Sequence, residues 1–434
     1  CDSFYMEEMG LEHEKGPNIA YGAELDVCIL ILILDDITAC LLNSQNREII
    51  LSVFPGGRAR RMKPRRLKGH NGAVTYCVAS RARPGFVASS AEDGCICGFD
   101  LRCKDVLLFT IKVGEDPISS LCFKEGNEDV VYVSSGTGIS CFDIRMGSPW
   151  TPLETYNYNK DEINQIAFSS KLGFLAAADD SGDVKIVDTS QKCLYKSLRA
   201  AHTSICSSVQ YIPWKPWTVV TGGLDSKLAI WDFSKGRLLY SIDYGTPEMD
   251  NNVSPGNAGQ CFNPAFVHSV AVPGVDMLSG LYKVCAVARG DGVVDVIDLE
   301  SELAPKKSKS SVGSQLRSKR SDIPDANSHP TGQSRGKRLH LDYTLGGHTA
   351  AVSCVTFSAF GERGKFLISG GNDATVKLWD WSKRFSSLQT SCDGDVTLNI
   401  NLKKKVNWIC TSPTDSENLI VCDTSKVLKV YTVQ

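Results

Sequence analysis

From about residue 65 onward, short stretches in which apolar and polar residues alternate recur along the chain, each bounded by Gly, Asp or Asn. A clear case runs from Phe366 to Gly371, turns at Asn372-Asp373, and resumes through Val376 and Leu378. Alternation with period two between turn residues predicts short antiparallel strands, and no segment of useful length carries a helical period. An aromatic or aliphatic residue followed by Asp closes each unit, at Phe99-Asp100, Phe142-Asp143, Val187-Asp188, Trp231-Asp232, Ile297-Asp298 and Trp379-Asp380. The first four of these aspartates lie 43, 45 and 44 residues apart. The later gaps of 66 and 82 hold a polar insertion near Asp243 to Gln260 and a basic, Ser-rich one from Pro305 to Arg338. A seventh unit runs from Val406 to Tyr431, with Thr432 where the Asp would stand. A fixed period of this length marks an array of supersecondary units, each burying its apolar faces against its neighbours.

Three units carry further residues in phase: Gly69-His70 with Asp93, Ala201-His202 with Asp225, and Gly347-His348 with Asp373. With the closing aromatic-Asp pairs, these resemble the G-H…D…W-D pattern of WD40 repeats. The resemblance implies an all-β fold, a single seven-bladed β-propeller of four-stranded sheets around a central channel. Arg65 to Lys68 would then supply the outer strand of the blade whose other three strands come from Val406 to Val433, closing the ring. It also implies a hydrogen-bonded chain in each well-formed blade: His348, Ser369, Asp373 and Trp379; His202, Thr221, Asp225 and Trp231; and His70, Ser89 and Asp93. A neutral imidazole donates and accepts, a hydroxyl does both, and a carboxylate accepts, so such groups can satisfy one another when buried. These residues are read as structural, not catalytic.

The residues just after the aromatic-Asp pair differ between blades. Blade one continues Leu101-Arg102 and blade two Ile144-Arg145, whereas blades three, four and six have Ser190, Ser234 and Ser382 two residues after the Asp. The segment from Val87 to Arg102 resembles the sixteen-residue box by which WD40 substrate receptors dock on DNA damage-binding protein 1, the adaptor of cullin-4 ubiquitin ligases. Phe99 and Phe142 replace the usual Trp, and blade two has Gly136-Thr137 in place of a turn Asp. The resemblance implies Asp100, Arg102, Asp143 and Arg145 as adaptor-binding residues, since a guanidinium fork suits carboxylates and carbonyls of a partner. The bland alternative is a solvated Arg paired with its own blade's Asp.

Composition changes this picture little. The formal net charge of the 434 residues is −2, so any basic patch is local. The 17 cysteines form no C-x-x-C pair and are read as reduced thiols. The apolar run from Val27 to Leu34 is broken by Asp35-Asp36, too short for the roughly 20 residues of a spanning helix. No phosphate-binding loop, nucleophile elbow or zinc-spaced cluster is present, so no enzyme, cofactor or metal is expected. Between Pro305 and Arg338, nine Lys or Arg face two Asp, and the segment is expected to be a disordered loop. Within it, Lys306, Lys307, Lys309, Arg317, Lys319 and Arg320 are candidates for a nuclear-localisation signal, with a plain solvated spacer as the alternative. Without interleaved aromatics, direct nucleic-acid binding is not expected.

Residues 1–61 fit no repeat, and the chain opens on Cys1. They are expected to be a weakly ordered extension or a gene-model artefact, followed by a propeller over residues 62–434. The expectation is a monomeric, non-enzymatic interaction propeller of nucleus and cytoplasm, not secreted. It would act as a substrate receptor on the cullin-4 adaptor, holding a substrate protein; the alternative is a nuclear scaffold or chromatin-associated reader without a ligase link. Neither a small-molecule substrate nor a membrane is expected among its partners.

Overall fold

Each alternating stretch becomes a strand, and the turns between them set four strands side by side. The computed structural model describes residues 62–169, 171–246, 261–277, 282–304, 337–386 and 396–434. Blade one comprises β2 (Val74–Ala79), β3 (Phe86–Ala91), β4 (Cys95–Asp100) and β5 (Leu107–Lys112), and blade two β6 (Ile118–Phe123), β7 (Val130–Ser135), β8 (Gly138–Asp143) and β9 (Glu154–Tyr156). Blade three holds β10 (Ile163–Ser169), β11 (Phe174–Asp179), β12 (Val184–Asp188) and β13 (Cys193–Leu198). Blade four holds β14 (Cys206–Tyr211), β15 (Thr218–Gly223), β16 (Lys227–Asp232) and β17 (Arg237–Asp243). In blade five are β18 (Val267–Ala271), β19 (Val284–Arg289), β20 (Val294–Asp298) and β21 (Arg338–Leu341), and in blade six β22 (Val352–Phe357), β23 (Leu367–Gly371), β24 (Thr375–Trp379) and β25 (Val396–Asn401). Blade seven takes β26 (Val406–Thr411), β27 (Leu419–Asp423) and β28 (Val427–Tyr431), and its fourth strand is β1 (Arg65–Lys68), with Leu67 opposite Leu428. The expected closure of the ring by the first strand is therefore what the structure has.

The core lies between blades. One cluster joins Tyr76, Phe86 and Ile96 of blade one to Leu121, Val133 and Phe142 of blade two, and another joins Leu67, Cys410 and Ile420 of blade seven to Val74 and Phe99. Second strands face a neighbour on both sides, so β3, β11, β15, β23 and β27 are buried throughout, and their side chains are mostly small or β-branched. Alternation survives at the outer strands, such as β5, where one face meets solvent. The closing seam is fastened by Tyr76 stacked on Trp408 at 4.1 Å and by Asn407 Nδ2 donating to the Val74 carbonyl.

The structure adds two short helices to the expected strands and moves one expected boundary. Two short helices occur, α1 (Leu299–Leu303), capped by Asp298, and α2 (Trp381–Ser386). Arg338 does not belong to the loop: it opens β21, and its Nε donates to Glu302 at 2.7 Å, because blade five needs an outer strand to cover β20. Residues 1–61 and the insertion cores 247–260 and 305–336, with the nuclear-localisation candidates, lie outside the described residues.

Candidate docking face

Antiparallel order sends the loops after the first and third strands of every blade to one face of the disc. They hydrogen-bond each other there: Leu101 N to Gly85 O, Ile144 N to Asp129 O, Thr189 N to Gly173 O and Phe233 N to Trp217 O. Arg102 and Arg145 stand on this face, each 63% exposed at the side chain. Arg102 donates from Nε and Nη2 to the two Asp100 carboxylate oxygens at 2.9 and 2.8 Å, and its backbone N–H donates to the same group at 3.0 Å. Arg145 repeats this on Asp143 at 3.0, 2.6 and 2.9 Å, so each Arg is exposed and paired with its own blade's Asp, the pairing that the bland alternative expected. The Arg102 hydrogen bond, outweighing burial, holds the Asp100 carboxyl down at about 2, and Arg145 lowers Asp143 in the same way.

In blades three and four the same Asp is served by Ser190 and Ser234, whose hydroxyls donate at 2.6 and 2.5 Å. In blade six Ser382 does so at 3.1 Å. A serine thus suffices for the turn, and the two arginines add an oriented guanidinium beyond what the turn requires. With two donors committed to the Asp, the planar fork is held in place; Nη1 of Arg102 has no partner among the described residues, whereas Nη1 of Arg145 lies 3.5 Å from Asp129.

Residues 45 or more positions apart hold this rim together, and periodicity gives no sign of them. Glu128 accepts from Ser80 Oγ and from the backbone N–H groups of Arg81 and Ala82. Arg83 donates to the Glu128 carbonyl at 2.9 Å, lies over the Phe86 ring at 4.4 Å and pairs with Asp129, which Arg145 also approaches at 3.5 Å. The loops of blades one and two are thereby latched together beneath the two forks.

The histidine chains lie inside the blades, toward the opposite face. In blade six, Trp379 Nε1 donates to Ser369 Oγ at 2.9 Å, Ser369 lies 2.8 Å from His348 Nε2, and His348 Nδ1 lies 3.1 Å from Asp373. This order makes Nδ1 the protonated nitrogen of a neutral ring. Burial lowers the His348 pKa, and hydrogen bonds led by His348 outweigh burial to set Asp373 at about 2. Blade four joins His202 to Asp225 at 2.9 Å and to Thr221 at 2.8 Å. There the expected fourth link is missing: Trp231 Nε1 is buried without a partner among the described residues, and Thr221 Oγ1 instead faces the Ala229 carbonyl at 3.4 Å. Blade one joins His70 to Ser89 at 2.8 Å but to Asp93 only at 3.4 Å. At the end of the second strand blades four and six have Gly223 and Gly371, where a Cβ would meet the histidine ring at 2.4 and 2.6 Å, and blade one has Ala91. The extra methyl accounts for the looser contact. Among the described residues no group of three or more His, Cys, Asp or Glu could hold a metal, and no helix is long and apolar enough to cross a membrane.

Sheet order, ring closure and the histidine chains define a WD40-repeat β-propeller. The family model for the WD domain, G-beta repeat, matches residues 62–100, 191–232 and 340–380, the blades with His–Asp pairs. The chain resembles WD repeat-containing protein 53: it is 25% identical over 392 residues to the WD repeat-containing protein 53 homolog of Dictyostelium discoideum, covering 85% of this chain and 94% of the relative. It is also 25% identical over 158 residues to the GATOR2 complex protein WDR24 of Danio rerio, covering 35% of this chain and 20% of that protein. The crystal structure of the WD40 beta propeller domain of Doa1 superposes with TM-score 0.59 at 15% identity, over 85% of this chain and 96% of that one, and shows the fold. Propellers of this kind are in general non-catalytic scaffolds for protein–protein contacts.

Proposed function

We propose that the chain is a non-enzymatic substrate receptor that docks on the DNA damage-binding protein 1 adaptor of cullin-4 ubiquitin ligases through the Asp100–Arg102 and Asp143–Arg145 forks. The observation that carries this reading is the pair of Asp–Arg forks in consecutive blades, at a turn that serine satisfies elsewhere in the ring, with Nη1 of Arg102 open and Nη1 of Arg145 beside Asp129. Two fixed guanidiniums on one rim suit bidentate contact with a partner's carboxylates or carbonyls. The opposite face is left for a substrate protein, and the basic segment 305–336 supplies an address for the nucleus as well as the cytoplasm. The test is affinity co-purification from cells of the intact chain beside Arg102→Asp/Arg145→Asp, with circular dichroism establishing that both are folded. The adaptor should accompany the first and not the second. Its absence from both would leave the scaffold reading, without a ligase link, in place.

A further inference from the structure

The position that bonds the third-to-fourth-strand loop is occupied by Gly85 in blade one and Gly173 in blade three, both at positive φ, +90° and +70°. Blade four puts Trp217 there, at φ +65° and 37% exposed. A bulky side chain in the left-handed region is strained backbone, and such strain concentrates at binding sites. The Trp217 indole packs against Phe174, Tyr195 and Phe233, with ring centroids 5.4–6.1 Å apart, and Trp217 stands at the edge of a cavity of about 190 Å³ on the docking face. The cavity lies where first-strand loops of several blades converge, with Phe168, Tyr211 and Val272 among its walls and Val275, 52% exposed, on its lip. That volume exceeds the 150 Å³ or so that accepts a benzene ring in an engineered protein cavity.

The lining carries three cations, Arg81, Lys171 and Lys215, against two acids, Asp276 and Glu125. Lys171, tied to the Pro213 carbonyl at 2.8 Å, and the exposed Lys215 stand beside Trp217. Arg81 reaches from blade one to Asp276 of blade five at 3.9 Å, and Arg363 of blade six shares that carboxylate at 3.2 Å. Glu125 is the other acid on the wall. The rim is continuous with the forks, since Arg81 belongs to the loop that Glu128 latches.

We infer that this cavity is a binding socket for one aromatic side chain carried on an acidic segment of a partner protein. Val272, Phe168 and the Trp217 indole bury the ring, while Lys171, Lys215 and Arg81 attract the flanking carboxylates. Neither Arg102 nor Arg145 lines the cavity, so the inference stands independently of which adaptor the forks take.

The test uses the full chain and a fluorescein-labelled acidic nonapeptide of Glu and Asp with one central Phe, followed by anisotropy. Two control peptides replace the Phe by Ala or the acids by Lys. The Phe peptide should bind at least about tenfold more tightly than either control, as expected for burial of one aromatic ring and for charge complementarity. Trp217→Gly installs the residue that blades one and three carry and should weaken binding about tenfold; because it also removes the ring contacts with Phe174, Tyr195 and Phe233, circular dichroism establishes that the variant is folded. Lys215→Glu, at an exposed position, should do the same, and Arg102→Asp/Arg145→Asp should stay within about twofold of the parent. Equal binding of the Phe and Ala peptides, or no binding of the Phe peptide up to about 1 mM, overturns the inference. So does unchanged affinity in Trp217→Gly. Loss of binding in the fork variant alone would assign the acidic segment to the forks and refute the socket.

Discussion

Removing one oxygen from blade six should cost more than removing the equivalent oxygen from blade four. Ser369 Oγ is fully buried and bonded on two sides, accepting from Trp379 Nε1 at 2.9 Å and lying 2.8 Å from His348 Nε2. In Ser369→Ala both the indole N–H and the imidazole nitrogen lose their partner in a site that water does not reach. An orphaned buried polar group costs about 1–3 kcal/mol, so the substitution should destabilise by roughly 2–5 kcal/mol. Thr221 in blade four bonds His202 at 2.8 Å, but Trp231 is already unpartnered. Thr221→Val keeps the shape and strands only the imidazole, giving about 1–3 kcal/mol. The assay is urea unfolding of the two variants and the parent, followed in parallel by tryptophan fluorescence and far-UV circular dichroism, with coincident transitions licensing the free energies. A Ser369→Ala cost within about 0.5 kcal/mol of zero would refute the hydrogen-bond chain. Equal costs in the two blades would refute the claim that their connectivities differ.

Gly371→Ala would place a Cβ 2.6 Å from His348 Nδ1 and 2.8 Å from Asp373 Oδ1, and should destabilise by about 1–3 kcal/mol in the same assay. Leu67→Ala, at the buried position that closes the ring, should cost about 2–5 kcal/mol, and a cost no larger than that of a surface substitution would deny β1 its sealing role. Acid should weaken the fold in two stages: the lowered His348 pKa makes the unfolded chain bind the proton first, so stability falls as pH drops below 6.5. The Asp373 contribution, whole above its ordinary value of 3.8, is lost as pH falls toward about 2. Urea midpoints that do not change between about pH 7 and about pH 3, or an Asp373→Asn variant with the parent's profile below about pH 4, would contradict this. Arg102→Ser/Arg145→Ser copies the turns of blades three and four and should leave the thermal midpoint within about 2 °C while abolishing adaptor capture; a large drop in the midpoint would show the forks to be structural.

The amino-acid order determined the blade count, the strand positions and the closing of the ring by Arg65–Lys68 against Val427–Tyr431; the His–Asp pairs followed from the resemblance of the repeats, and the Asp–Arg pairing was legible only as the alternative to a partner contact. The turns and the paired side chains are local, since a repeat of about 44 residues carries its own hydrogen-bonding partners and period and phase reveal them; the ring closure joins opposite ends of the array and was legible from the strand left over before the first repeat. Burial of whole second strands was not legible, because it depends on having a neighbour on both faces. The broken link at Trp231, the Glu128 latch under the forks and the place of Arg338 in β21 were equally invisible, since they turn on rotamers and on residues far apart in sequence. The socket beside Trp217 exists only because the ring curls loops of separate blades to one point. Periodicity encodes what a blade does to itself; how blades meet around an axis is decided by the packing of side chains that no repeat pattern orders.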